Sequence, residues 1–492
     1  MRLTTTVVVV SLSVSQSVSA QARPPMDTLT RLARIDSAHR DLGRRHGTTT
    51  WPGFRPDTIP TVFVLPGRGR ALFGWPAGTR SPSGYESIPG HANAYWQRDT
   101  TLGAASTAVT VDGHPTAQVV ARDLDPVALT ATAQHEAFHA FAGVLRRDDR
   151  RFGTGENAFD VASYPIFDAD NEALFALEGE ALRAALVAQS PARRRALARH
   201  ASAIRRTRHE RLAPEFAEFD DASEMNEGLA QYAYHEALRH LAANGPVVWR
   251  REASVQLSEE QQRLGTITED VTQSFRLRYY LTGAGMARLL DLLDGPAWKS
   301  TFLARNWTLQ TALAHASGLD APLRATMDTL RRASTFAAAT SRTDARLRAL
   351  RELRQIQADS VLRGPGLLLV LAADSLPSRD FNSCSFDPQN LLQVTPRIRI
   401  HTRWWRPCGG AGLNAEFNVP SVHDADAGTI RARIGDTDSV RISIGDAPRT
   451  LSRGETVLGA ERIVVITPRV SMRVNRADIM RRGDTLLVRP RP

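Results

Sequence analysis

TATAQHEAFHAFAG, residues 130–143, is the stretch from which the rest of the chain can be read. His135 and His139 stand four apart, which on an α-helix puts them on one face, a single turn from each other. Two imidazole nitrogens so placed can grip one metal ion. Glu136, beside the first histidine, can lean over the open side of that ion as a general base. The flanking residues favour a helix. Asp125 is an N-cap, Pro126 suits the first helical position, and Ala128, Leu129, Ala131, Ala133, Ala137, Phe138, Ala140 and Phe141 make a mostly apolar run ending near Gly143. A helix apolar nearly all round is a buried one. Buried imidazoles and a buried carboxylate need partners, and zinc would supply one. By chance such a chain contains this pattern on the order of 2% of the time, so the metal reading outweighs two satisfied core histidines.

Working outward, Val62–Leu65, 94–97 and 108–122 read as strands leading into this helix. Asp112-Gly113 between Val109–Val111 and 118–120 is a hairpin signal. Gly67, Gly69 and Gly74 lack the spacing of a dinucleotide fingerprint and read as a turn. Residues 118–122 are expected to run beside the metal as a rail on which an extended substrate could add as a strand. Helices are expected over 26–45, 171–188, 191–212, 224–242, 276–294, 308–332 and 343–362, with Asp220–Ser223 capping the fourth. His235 and His240, five apart, diverge on a helix and read as surface residues.

Two histidines do not close a catalytic zinc site, which takes three protein ligands and a water. The segment NEGLAQY (226–232) offers the Glu227 carboxylate on an otherwise apolar face. HEAFH followed by NEGLAQY resembles the gluzincin metallopeptidases. The resemblance covers two short motifs between residues 130 and 233. It implies a zincin-like metallopeptidase domain holding Zn2+ through His135, His139 and Glu227, with Glu136 as base and a peptide or protein as substrate. One departure from the family pattern is Gln231, where an Asp four residues after the ligand Glu often orients a ligand histidine. The amide oxygen of Gln231 can still accept from an imidazole N–H. The 88 residues between His139 and Glu227 leave Glu178 and Glu180 as rival third ligands. Tyr279 or Tyr280 could donate to a transition-state oxyanion, with Tyr280 the choice here.

At 492 residues the chain can hold more than one domain. Arg2, the apolar stretch 3–14 and Val18-Ser19-Ala20 read as a signal peptide over 1–20. That apolar run is too short to span a bilayer, and no transmembrane segment follows. The expected organisation is α+β: a mainly helical domain with a small β-sheet over 21–335, a helical linker over 336–365, and a β-rich sandwich or barrel over 366–492. Cys384 and Cys408 are expected to pair in an oxidising compartment, outside the cell or in a periplasm. The net charge of +10 rests on arginine, since Lys299 is the only lysine. The arginine runs are interleaved with Ala and acidic residues and lack aromatics, which argues for solvated helix faces and against nucleic acid. Oligomeric state and substrate identity are not legible. The competing expectation is a non-catalytic exported binding or assembly protein on the same scaffold.

Overall fold

The computed structural model describes residues 25–99, 105–147, 149–269, 275–319, 334–373, 381–409, 412–435 and 440–491. The expected signal peptide and positions 320–332 of the helix expected over 308–332 lie outside them. The protein is α+β, about half helical, and its chain forms two compact units, Met1–Val144 with Glu236–Ser254 and Leu145–His235 with Val255–Pro492.

In the first unit, helices α1 (Met26–Thr50) and α2 (Pro126–Val144) pack on a six-stranded sheet. Its strands are β1 (Thr61–Leu65), β2 (Gly69–Phe73), β3 (Glu86–Ser87), β4 (Tyr95–Arg98), β5 (Thr107–Val111) and β6 (His114–Val120), in the order β3-β4-β2-β1-β6-β5. Only β1 and β6 run parallel; the other neighbours are antiparallel. The hairpin expected at Asp112-Gly113 joins β5 to β6, and both residues have the positive φ (42° and 84°) that a tight turn of this kind requires. Leu29, Leu32 and Ile35 of α1, Phe63 and Val119 of the sheet, and Leu129 and Ala133 of α2 share one core. α1 is tied down by Arg40, which donates to the carbonyls of Asp57 (2.5 Å), Ile59 and Phe73 (both 3.2 Å).

The rail expectation for residues 118–122 is corrected. β6 pairs with β1 on one side (Val62↔Gln118, Phe63↔Val119) and with β5 on the other (Thr107↔Gln118). The sheet edge on this side is β5, because the Asp112-Gly113 turn folds it against β6.

The helices of the second unit begin with α3 (Ala169–Val187), α4 (Pro191–Arg211) and α5 (Pro214–Ser223). A π-helical turn, Glu224–Gly228, joins α5 directly to α6 (Leu229–Asn244), and α7 (Val247–Arg263) follows; α6 and α7 each have residues in both units. The helix expected to start at residue 224 behind an Asp220–Ser223 cap is therefore preceded without a break by α5, whose start at Pro214 lies ten residues earlier, and the expected cap residues lie inside α5. Asp220 is used as a buried acceptor for Arg208 and Tyr279 instead of as a cap. Then come α8 (Arg278–Asp294), α9 (Trp298–Arg305), α10 (Leu309–Ser317) and α11 (Ser334–Arg363). The stretch expected as a linker falls in α11, where Arg346 donates to Glu172 of α3 at 2.9 Å. Gly228 and Gly283 let the π-turn and α8 touch backbone to backbone: a Cβ on Gly228 would lie 2.5 Å from the Gly283 Cα.

The C-terminal strands are β7 (Leu368–Ala372), β8 (Asn382–Phe386), β9 (Leu391–Gln393), β10 (Ile398–His401), β11 (Trp405–Gly409), β12 (Leu413–Phe417) and β13 (Ser421–Asp424). They continue with β14 (Thr429–Arg433), β15 (Arg441–Ile444), β16 (Ala447–Pro448), β17 (Thr456–Ile466), β18 (Val470–Arg482) and β19 (Thr485–Pro490). They form one sheet, ordered β16-β15-β17-β18-β19-β7-β14-β13-β10-β9, with β12, β11 and β8 branching from β18. β18 pairs with β12 through its first residues and with β19 through its last. That split lets the sheet fold over on itself as a nearly closed barrel or sandwich, with Leu369, Trp405, Phe417, Ile430, Met472 and Ile479 in one core. The disulfide is found as expected, Cys384 of β8 to Cys408 of β11, Cα atoms 5.6 Å apart.

Candidate functional site

α2 starts where the sequence sets it. Asp125 Oδ1 accepts from the backbone N–H of Val127 (2.9 Å) and of Ala128 (3.3 Å), and Pro126 follows the cap. Aromatic edges then fix the helix: Phe138 meets Trp51 and Phe54 with ring centroids 5.6 and 5.3 Å apart. Gln134 Nε2, one residue before the first histidine, donates to the His39 carbonyl at 2.8 Å and lies 3.0 Å from His39 Nδ1. Burial in this contact pushes the His39 imidazole down to about 3, with Arg40 adding to the effect, so it is neutral at ordinary pH.

On the helix so fixed, His135 and Glu136 are 6% and 5% exposed and His139 is half-buried. One ligand atom from each of the three lies within 4.8 Å of the others. His135 Nε2 and His139 Nε2 are 3.1 Å apart. Two nitrogens on one tetrahedral zinc, each about 2.05 Å from it, would lie about 3.3 Å apart. The donor set therefore suits a zinc-sized ion. The same separation also suits a hydrogen bond between two neutral rings of opposite tautomer.

The other residues singled out from the sequence belong to the second unit. Glu227 lies in the π-helical turn, a feature often found at functional positions because one extra residue re-aims the side chains around it. Its Oε1 accepts from Arg276 Nη2 at 2.6 Å. Arg276 also donates to Glu156 Oε1 through Nε (2.6 Å) and Nη2, and through Nη1 to the Tyr280 hydroxyl at 3.1 Å. Asn226 completes the group, Nδ2 to Glu156 Oε2 at 2.9 Å. Burial and then the Glu227 charge hold the Tyr280 phenol well above its ordinary range, so it stays a hydroxyl donor. Burial likewise raises the Glu156 carboxyl, against the pull of Arg276.

Within the second unit Glu227 and Tyr280 come together around Arg276, and within the first unit His135, Glu136 and His139 come together. The rival carboxylates are otherwise engaged. Glu178 accepts from Arg205 at 2.7 Å and Arg208 at 3.3 Å, fully buried, while Glu180 is exposed with Arg342 at 3.8 Å. Gln231 turns its amide nitrogen towards His235 Nε2 (3.5 Å) and Glu260 Oε2 (3.4 Å). The surface expectation for His235 and His240 is corrected. His235 is 6% exposed, with Glu260 at 3.6 Å. His240 is half-buried, its ring stacked on His46 at 3.6 Å. His235 is covered by Glu260 of α7, and His240 by His46 of α1. Nothing in the sequence marks Arg276 or Glu156 as a site residue, because a lone Arg in the helical turn ahead of α8 and a lone Glu in a loop carry no periodic or motif signal.

Set against known protein families, curated proteins and solved structures, the chain finds no match. The gluzincin resemblance therefore rests on the two motifs alone.

Proposed function

We propose that the chain is an exported zinc-dependent peptidase, with a zincin-like domain and a peptide or protein substrate. The observation that carries the reading is the convergence of His135, Glu136 and His139 within 4.8 Å on one buried, aromatic-braced helix. His135 and His139 would hold the ion. Glu227 is the proposed third ligand, on the NEGLAQY motif. Bound zinc would supply Lewis acidity, lowering the pKa of a coordinated water towards about 7. Glu136 takes a proton from the attacking water and passes it to the leaving amine. Tyr280 is the proposed hydroxyl donor to the oxyanion that develops on the substrate carbonyl. The Cys384–Cys408 disulfide suits export, and among the described residues no helix is long and apolar enough to cross a membrane.

A second reading, a non-catalytic binding protein on the same scaffold, draws on Arg276. A carboxylate already neutralised by a guanidinium is a weaker metal ligand than a bare one. Two measurements separate the readings: zinc per chain in protein purified without chelator, and turnover of casein or a peptide library. Glu136→Gln is expected to keep zinc and lose about 10²–10⁴-fold in turnover. His135→Ala is expected to lose both. Equal turnover by wild type and Glu136→Gln would remove the mechanism.

A further inference from the structure

The turn into α7 reads GPVVWRRE over residues 245–252, within the first unit. Val247 and Val248 are 76% and 84% exposed, the two most exposed large apolar side chains among the described residues. Arg250 and Arg251, both exposed, follow directly. They lie at the start of the helix, which has no acidic residue in its first turn, although the helix dipole disfavours cations there. Two local costs, bare valines and cations at the wrong helix end, coincide within five residues. The turn is also well formed. The Trp249 N–H donates to the Pro246 carbonyl at 2.8 Å, and Arg250 Nε donates to the Gly245 carbonyl at 2.8 Å.

We propose that this turn is a peripheral docking element for an anionic lipid surface. Val247 and Val248 enter the boundary between headgroups and acyl chains, and Arg250 and Arg251 meet the lipid phosphates. A lipid surface is favoured over a protein for two reasons. Valines this far exposed protrude, and a headgroup layer accepts a protrusion without a matching cavity. The arginine pair, on a chain of net charge +10, complements an anionic layer. The element would hold the protein at a membrane surface without spanning it, whatever the chemistry of the His-Glu-His helix.

The test uses the full chain and vesicles of phosphatidylcholine with or without phosphatidylglycerol. The wild type is expected to sediment with the phosphatidylglycerol vesicles only. The Val247→Asp/Val248→Asp and Arg250→Gln/Arg251→Gln double variants should each bind about tenfold more weakly or worse. A polarity-sensitive fluorophore on Val248→Cys should shift to the blue when these vesicles are added. Wild type remaining in the supernatant would overturn the proposal. So would sedimentation with an unshifted fluorophore, which would assign binding to arginines elsewhere on the chain.

Discussion

In the second unit Glu178 lies between Arg205 and Arg208, Asp220 against Arg208, and Glu172 against Arg278 and Arg346. In the first unit Glu136 lies instead with two imidazoles. Both regions bury ionisable side chains, but their chemistry differs. A guanidinium is permanently charged and forks onto carboxylates, so it neutralises them for good and fixes helix against helix. An imidazole carries no permanent charge, and in its neutral form it keeps a nitrogen lone pair for a metal. Arginine-paired carboxylates therefore read as architecture, and an imidazole pair with a carboxylate reads as chemistry. Glu227 shares features of both, since its motif suggests a ligand while Arg276 holds one of its oxygens.

The contrast is broken most sharply by removing one member from each side. Arg205→Met leaves Glu178 and Glu224 buried without their shared cation, and urea unfolding should show a loss of about 3–5 kcal/mol. His135→Ala should behave in the opposite way. Chelator should lower the Tm of the wild type but leave that of His135→Ala unchanged. A chelator-insensitive wild type would place the imidazole pair with the architecture.

Gly228→Ala comes next. Its methyl would meet backbone of Gly283 and Tyr279, which cannot swing aside, so a loss of about 1–3 kcal/mol is expected on chemical denaturation. A neutral result would mean that the π-turn and α8 can separate without cost.

A smaller, pH-dependent effect sharpens the comparison within the arginine network. Burial pushes the Glu224 carboxyl up to about 8, against the pull of Arg205 and with the added push of Glu178. Between the ordinary carboxylate range and that value the folded chain holds a proton that the unfolded chain has released. Stability from this group is therefore present at low pH and lost as pH rises. His39 acts in the opposite sense, but only below its ordinary value of 6.5. Between pH 6.5 and 8 the wild-type Tm should fall, and Glu224→Gln should flatten that slope. An unchanged slope in the variant would show that other groups set it.

The smallest effect expected is that of Arg276→Gln. If Arg276 orients Glu227 as a ligand, zinc affinity measured by chelator competition should fall about 10-fold. If it competes with the ion, affinity should rise. Either shift ties Glu227 to the metal, and no shift would return it to the architecture.

The helix over 126–144, its Asp125 cap, the Asp112-Gly113 hairpin, the cysteine pair and the change to strands after residue 366 were all legible in order along the chain. Each is written in residues close in sequence or in a simple alternation. The strand Val470–Arg482 is harder to read locally: VSMRVN alternates inward Val and Met with outward Ser, Arg and Asn, but the arginines along it interrupt the apolar run. The early start of the Pro214 helix, its π-turn at Glu227, the burial of His235 and the hold of Arg276 on Glu156 and Glu227 were not legible. The last of these joins residues 120 and 49 apart in the chain, and local sequence carries no record of which distant side chain will satisfy a buried charge. By itself, then, the sequence determined which helix carries the His-Glu-His group and how that helix begins. Tertiary structure alone decided which carboxylates arginine neutralises, because that choice is made by burial, after the helices have packed.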